Sequence, residues 1–137
     1  KGPKIDVLNI PASVKRIDAL GLDSVKSISV DPLNPNFATK DGNLFNHDLT
    51  QLIAFFDNVS QTSYTLPNSV SSIANWVFGN GRAPSLNSLT INSPIVESGS
   101  IGAQIKYLNL GKDFKISNHF NPGWKLNKLI KVNILIC

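Results

Sequence analysis

Short stretches in which apolar and polar residues alternate recur along the chain. Residues 10–17 read aliphatic, Pro, any, Ser, Val, any, any, Ile, and residues 66–73 repeat this frame position by position. A second frame at 25–30 (V-K-S-I-S-V) returns at 86–91 (L-N-S-L-T-I), and degraded copies begin near Leu108 and Leu126. Self-similarity at this spacing is typical of a repeat protein.

The repeat length is the spacing between the last inward-facing residues of successive predicted strands. These residues are Ile10, Val30, Leu66, Ile91, Leu110 and Val132. The steps between them are 20, 36, 25, 19 and 22 residues, and four of the five lie within one residue of the range of about 20–29 that leucine-rich repeats span. The sequence therefore predicts a single domain over 1–137 in the α/β or mainly-β class, a leucine-rich-repeat solenoid of about six irregular coils.

Each coil begins with a minimal strand whose two apolar side chains lie on one face. Stacked coils are expected to join these short strands into one continuous parallel sheet over a shared core. The proline that follows ends the strand, because it has no N–H for the ladder. Ser13 or Ser69 then caps a predicted short helical turn, on which Val70 and Ile73 share a face three residues apart.

The 36-residue step contains a predicted β-hairpin insertion at about 35–57. Asp41-Gly42 lies between two short arms that end in apolar residues, which is a strong hairpin signal. A second turn at 46–48 precedes the apolar segment 52–56. We expect a small antiparallel meander at the edge of the solenoid.

These segments together resemble the BspA-like leucine-rich repeats of bacterial surface proteins. The resemblance rests on Asn34-Pro35-Asn36-Phe37, Asp41-Gly42-Asn43-Leu44-Phe45, Leu52-Ile53-Ala54-Phe55 and Leu66-Pro67-Asn68-Ser69-Val70-Ser71-Ser72-Ile73 with Phe78. It covers roughly residues 5–91, and the remainder follows the rhythm with weaker letters. The pattern departs at Val77-Phe78, where Ala-Phe is usual, and at Gly111, where Pro is expected.

The resemblance implies an extracellular or cell-surface protein whose relatives serve adhesion or protein interaction. It implies no catalytic residues. The absence of any methionine leads us to expect a fragment of a longer protein. The two histidines, His47 and His119, are far apart and the nine carboxylates fall mostly in turns, so we expect no enzyme site, no metal site and no cofactor. Asn58-Val59-Ser60 fits the N-glycosylation pattern.

Charge narrows the range of partners. The chain carries a net charge of +4. From Gly102 onward it has six lysines and a single acid, Asp113. That end would favour an anionic partner such as an acidic glycan, although a solvated lysine face explains it equally. Two arginines and no basic run with aromatics argue against nucleic acid, and no apolar run is long enough to insert into a membrane.

Polar residues between the inward strand positions form a predicted ligand-binding ladder on the sheet. Its members are Asn9, Ser29, Thr65, Thr90, Asn109 and Lys131, with Tyr107 adding an aromatic ring near one end. The alternative is a solvated strand face that binds nothing. Exposed aromatics make better anchors, and Trp124 is a candidate, whereas Trp76 belongs to an apolar cluster expected in the core.

Two functions remain open from the sequence. The first is a non-catalytic binding module that contacts a protein or a glycan. The second is a structural spacer or capping segment of a repeat array with no ligand of its own. The apolar end at 134–136 also predicts dimer formation through an open solenoid end.

Overall fold

The chain folds mainly as β-structure. The computed structural model describes residues 5–58, 60–74, 77–78, 83–98, 105–115 and 131–134. These ranges contain no α-helix and one 3₁₀ helix, Ala19–Ser24. The strands are β1 (Ile5–Ile10), β2 (Val25–Val30), β3 (Phe37–Lys40), β4 (Asn43–Asn46), β5 (Gln51–Ala54), β6 (Ser63–Thr65), β7 (Ser72–Ile73), β8 (Ser88–Ile91), β9 (Glu97–Ser98), β10 (Tyr107–Leu110) and β11 (Lys131–Ile134).

The repeat strands pair in parallel, but they form two sheets instead of the single sheet expected. β1 pairs with β2, and β6, β8, β10 and β11 form a four-stranded sheet in the order β11-β10-β8-β6. Ile10 lies opposite Val30, and Leu110 lies opposite Ile91, as the repeat spacing predicts. The long insertion separates β2 from β6, which explains the break.

The predicted register of the last strand is wrong by two residues. Leu110 lies opposite Ile134, and Val132 lies opposite Leu108. The strand reads Lys-Val-Asn-Ile, and with a period of two, either aliphatic residue satisfies the pattern. A shift by two residues keeps the apolar face inward, so the sequence alone does not choose between the two registers.

The helical turn predicted over Ser69–Ile73 is wrong. Pro67-Asn68-Ser69-Val70 forms a tight turn closed by a hydrogen bond from Val70 N–H to the Pro67 carbonyl. Ser72–Ile73 is strand β7, which pairs in parallel with β5 and with β9. Serines and β-branched residues are poor helix formers, and the neighbouring coil supplies carbonyls at Thr50 and Leu52 that satisfy this backbone.

The helix-capping role predicted for Ser69 is also wrong. The Ser69 hydroxyl donates a 2.6 Å hydrogen bond to the carbonyl of Leu49 in the preceding coil. Ser93 repeats the arrangement one coil later, donating over 2.6 Å to the carbonyl of Val70. These serines therefore join successive coils.

The hairpin forms one edge of a third sheet, which has five strands. β3 and β4 pair antiparallel around Asp41-Gly42, whose φ angles are 57° and 79°. β4 also pairs antiparallel with β5, which gives the sheet order β3-β4-β5-β7-β9. The Asp-Gly dipeptide suits this turn because both central positions need positive φ.

Strand β4 lies between two hydrophobic cores and contributes to both. Leu44 and Phe45 are both fully buried, but Leu44 joins the N-terminal core and Phe45 joins the C-terminal core. Consecutive residues of a strand point to opposite faces, so one strand serves both cores. The N-terminal core contains Ile10, Leu22, Val25, Ile28, Phe37, Leu44 and Ala54. The C-terminal core is larger and includes Leu52, Leu66, Val70, Ile73, Phe78, Leu86, Leu89, Ile91, Ile95 and Leu108.

A buried asparagine fixes the loop that leads into the hairpin. The Asn34 amide donates to the carbonyls of Pro11 and Val14 at 2.8 and 3.1 Å. Its Oδ1 accepts the N–H groups of Asn36 and Phe37 at 2.7 and 3.0 Å. All four bonding positions of this side chain are thus used, which compensates the cost of burying it.

Candidate functional site

The outward side of the four-stranded sheet is the candidate site, and we call the outward positions of β6, β8 and β10 the sheet face. Between them, Tyr64, Leu89 and Leu108 point inward and are buried. The register aligns the outward residues in two rows across the strands. The first row is Ser63, Ser88 and Tyr107, and the second is Thr65, Thr90 and Asn109.

Asn109 connects the two rows. Its amide nitrogen lies 3.2 Å from Ser88 Oγ and 3.2 Å from Thr90 Oγ1, so it donates to both hydroxyls. A hydroxyl that accepts the amide hydrogen keeps its own O–H as a donor. The three side chains therefore form a small ordered cluster on β8 and β10.

Tyr107 is the aromatic member of the sheet face, and 39% of its surface is exposed. It lies opposite Ser88 on one side and opposite Lys131 on the other. Its strand is an interior strand of the four-stranded sheet and the last strand of the sheet face as defined here. An exposed tyrosine offers rigid apolar area together with a polar tip.

The predicted ladder is divided between the two sheets. Thr65, Thr90 and Asn109 lie in register on the four-stranded sheet. Asn9 and Ser29 lie opposite each other on the β1–β2 sheet, where the Ser29 hydroxyl donates to Asn9 Oδ1. The six residues therefore do not form one continuous row.

Lys131 occupies a different row from the one expected. Its backbone is opposite Tyr107, and Asn133 is the residue opposite Asn109. The ladder also omitted Ser63 and Ser88, which the alternation at 63–66 and 88–91 places on the same face as Thr65 and Thr90. Counting two outward residues per strand, instead of one, would have found them.

Other side chains named from the sequence are not part of this face. His47 is exposed in the turn after β4, with Nδ1 3.1 Å from the Asn34 carbonyl. Asn58 is exposed and accepts the Ser60 N–H at 2.9 Å. Trp76, Trp124 and His119 lie outside the described residues.

The segments next to β10 in the chain carry exposed charges. Lys106 and Lys115 are exposed, and Lys112 pairs with Asp113 at 3.2 Å. At the other end of the molecule, Lys26 lies 2.8 Å from Asp6 and its hydrogen bond lowers the pKa of that carboxyl. The described residues contain no cluster of three metal-ligating side chains.

Tyr64 is the one tyrosine of the sheet that points inward. Burial raises the pKa of its phenol above the ordinary value, and the Asp41 carboxylate adds to the shift. Its hydroxyl donates to Asp41 Oδ2 at 3.3 Å, and its ring packs 5.3 Å from that of Phe55. This contact ties the tip of the hairpin to β6, the first strand of the candidate site.

Two solved structures are similar to this chain over nearly its whole length. One is the pneumococcal vaccine antigen PcpA, with a TM-score of 0.51 and 17% identity over 90% of this chain and 46% of that chain. The other is a leucine-rich repeat protein from Eubacterium ventriosum, with a TM-score of 0.55 and 19% identity over 93% of this chain and 41% of that chain. The fold is that of a bacterial leucine-rich-repeat protein.

This likeness concerns the fold, because both identities are low. This chain spans less than half the length of either solved chain. No family model matches the sequence, and no curated protein matches it. Within the described ranges, no helix has the length and apolar character needed to cross a membrane.

Proposed function

We propose that this leucine-rich-repeat domain is a non-catalytic binding module of a secreted or cell-surface protein, which contacts a protein or a glycan in an adhesion-like role. The observation that carries the proposal is the sheet face itself: two aligned rows of polar side chains and one exposed tyrosine, held on a fully buried core. A rigid scaffold with an exposed polar face is suited to recognition.

The surface location is supported by a neighbour of the same fold, which is a pneumococcal vaccine antigen. We also propose that the repeats are BspA-like, because the sequence has the Asn-Pro, Asp-Gly and Pro-x-Ser-Val motifs. We propose further that the whole chain forms six coils. The six repeat strands β1, β2, β6, β8, β10 and β11 support this count.

A structural spacer or capping segment is the second candidate. Among the described residues β1 is an edge strand of its sheet, and a further repeat or a second copy of the chain would pair along that edge. In this case the sheet face has no ligand. Dimer formation through an open end belongs with this candidate, and light scattering over a range of concentrations tests it.

The two candidates are separated by a binding screen of the purified chain against extracellular-matrix proteins and a glycan panel. The test variant carries Thr65→Ala, Thr90→Ala and Asn109→Ala together, and its matched control carries Thr39→Ala, Lys40→Ala and Asn68→Ala at exposed sites elsewhere. The binding module predicts a ligand that the first variant loses and the control keeps. A folded chain that binds nothing in either panel contradicts the proposal and favours the spacer.

A further inference from the structure

The chemistry of the sheet face points to one class of ligand more than to others. Protein interfaces concentrate their binding energy in large aromatic and arginine anchors, and serine is depleted at their centres. The described sheet face has one aromatic ring among small hydroxyl and amide side chains. Such a surface offers little apolar area to a protein partner but many directional hydrogen bonds.

A saccharide has the complementary properties. One side of a pyranose ring presents C–H groups, which pack on the face of an aromatic ring through weak C–H contacts. Its edge carries hydroxyl groups, which donate and accept hydrogen bonds, and ether oxygens, which accept them. An aromatic platform beside ordered hydroxyl donors therefore fits one sugar ring.

The geometry places these groups side by side. Tyr107 and Ser88 are directly opposite on neighbouring strands, which are about 4.8 Å apart in any sheet. Asn109 lies two residues beyond Tyr107 on the same face, and its amide holds the Ser88 and Thr90 hydroxyls in fixed positions. This order before binding reduces the entropy lost when a ligand is bound.

We propose that Tyr107, Ser88, Thr90 and Asn109 form a subsite for one pyranose ring of a saccharide, with Tyr107 as the stacking platform. The inference rests on the proposed binding function and narrows it. The lysine-rich sequence from Gly102 onward favours a saccharide with acidic groups over a neutral one.

Titration of the full chain with a hyaluronan tetrasaccharide and with neutral maltotetraose tests the subsite, by NMR or calorimetry at about 50 and 150 mM salt. We expect hyaluronan to bind more tightly at the lower salt, because charge contributes to its binding. Tyr107→Ala should weaken the binding at least tenfold. Tyr107→Phe keeps the ring and should retain affinity within about threefold.

Tyr107 is exposed, so both variants are expected to fold, and their circular dichroism and melting curves check this. Saccharide binding that Tyr107→Ala leaves unchanged overturns the subsite, and so does the absence of binding to either saccharide at millimolar concentration. A matrix protein that is lost in the Thr65, Thr90 and Asn109 triple variant, while no saccharide binds, would overturn the subsite and leave the binding function standing.

Discussion

The two parallel sheets share a sequence frame but differ in how well their strands are covered. Ile28 on β2 and Leu89 on β8 occupy the same position of that frame, yet Ile28 is 7% exposed and Leu89 is fully buried. β8 has a parallel neighbour on each side, whereas within the described part of the chain β2 pairs with β1 alone. The sheet β3-β4-β5-β7-β9 provides Phe45, Leu52 and Ile73 to the C-terminal core.

The N-terminal region compensates for its smaller core with polar contacts. Asn34 bonds across two coils, and the exposed pair Asp6–Lys26 links β1 to β2. An exposed ion pair contributes little to stability, so the asparagine is the more important of the two. The comparison teaches that the repeat frame specifies which side chains point inward, while the number of stacked neighbours decides how much free energy their burial contributes.

The largest difference is expected from a charge placed in the C-terminal core. Leu66→Asp puts a carboxylate among apolar core residues, where the side chain is 1% exposed, and this should abolish cooperative unfolding of the whole chain. Leu33→Asp is the matched control, because Leu33 is 82% exposed, and it should change stability by no more than about 0.5 kcal/mol. Circular dichroism during chemical denaturation measures both. A soluble, cooperative Leu66→Asp protein would show that the described register is wrong.

Truncating the same frame position in the two sheets measures the comparison directly. Leu89→Ala removes a fully buried side chain between two neighbouring strands and should cost about 4 kcal/mol, near the upper part of the usual range. Ile28→Ala should cost about 2 kcal/mol, because its surroundings are more open and collapse more easily. Equal losses in urea denaturation would mean that the two cores are equally well packed.

Removing the asparagine amide tests how the N-terminal region is held. Asn34→Ala leaves the buried N–H of Phe37 without its acceptor and two carbonyls without their donor, at a cost of about 1–3 kcal/mol. Asn36→Ala is the control, since its side chain is exposed and makes one long 3.5 Å bond to Val14. Hydrogen exchange should show faster opening of β1 and β2 in Asn34→Ala and little change in β8 and β10. Uniform acceleration across both sheets would argue against independent stabilisation.

Two glycines test packing between coils. A Cβ at Gly111 would meet the side chain of Asn92 and approach the Asn92 Cα to 3.2 Å, so Gly111→Ala should cost about 1–2 kcal/mol. Gly21 has open space around the same position, and Gly21→Ala should be neutral or slightly stabilising. Thermal melts measure the pair. If both substitutions have the same effect, the close approach between the coils of β8 and β10 is not present in solution.

The smallest expected effect is a pH dependence at alkaline values. Because the folded pKa of Tyr64 is raised, the unfolded chain ionises first, and this residue's contribution is complete below pH about 10 and decreases above it. Tyr64→Phe should therefore flatten the decrease in unfolding free energy above about pH 10. Tyr107→Phe removes a phenol at the surface and is the control. An unchanged slope in Tyr64→Phe would mean that the phenol is more hydrated than its burial indicates.

Much of the candidate site follows from the sequence because strand alternation is local. Thr65, Thr90 and Asn109 were placed in one row by the apolar residues on either side of them, and the structure has them in register. The Asp-Gly hairpin was equally readable, since few dipeptides accept two positive φ angles in succession. These features depend on the nearest residues only.

What the sequence by itself determined is the repeat frame: the inward and outward positions, the strand ends at proline and the hairpin turn. What only the tertiary structure decided is the pairing of those strands. The separation of the two parallel sheets, the strand Ser72–Ile73 in place of a helical turn and the register of Lys131 opposite Tyr107 all depend on partners distant in sequence. A backbone segment with weak local preference takes the conformation that satisfies its N–H and C=O groups against the neighbouring coil, and that neighbour is known only once the chain has folded.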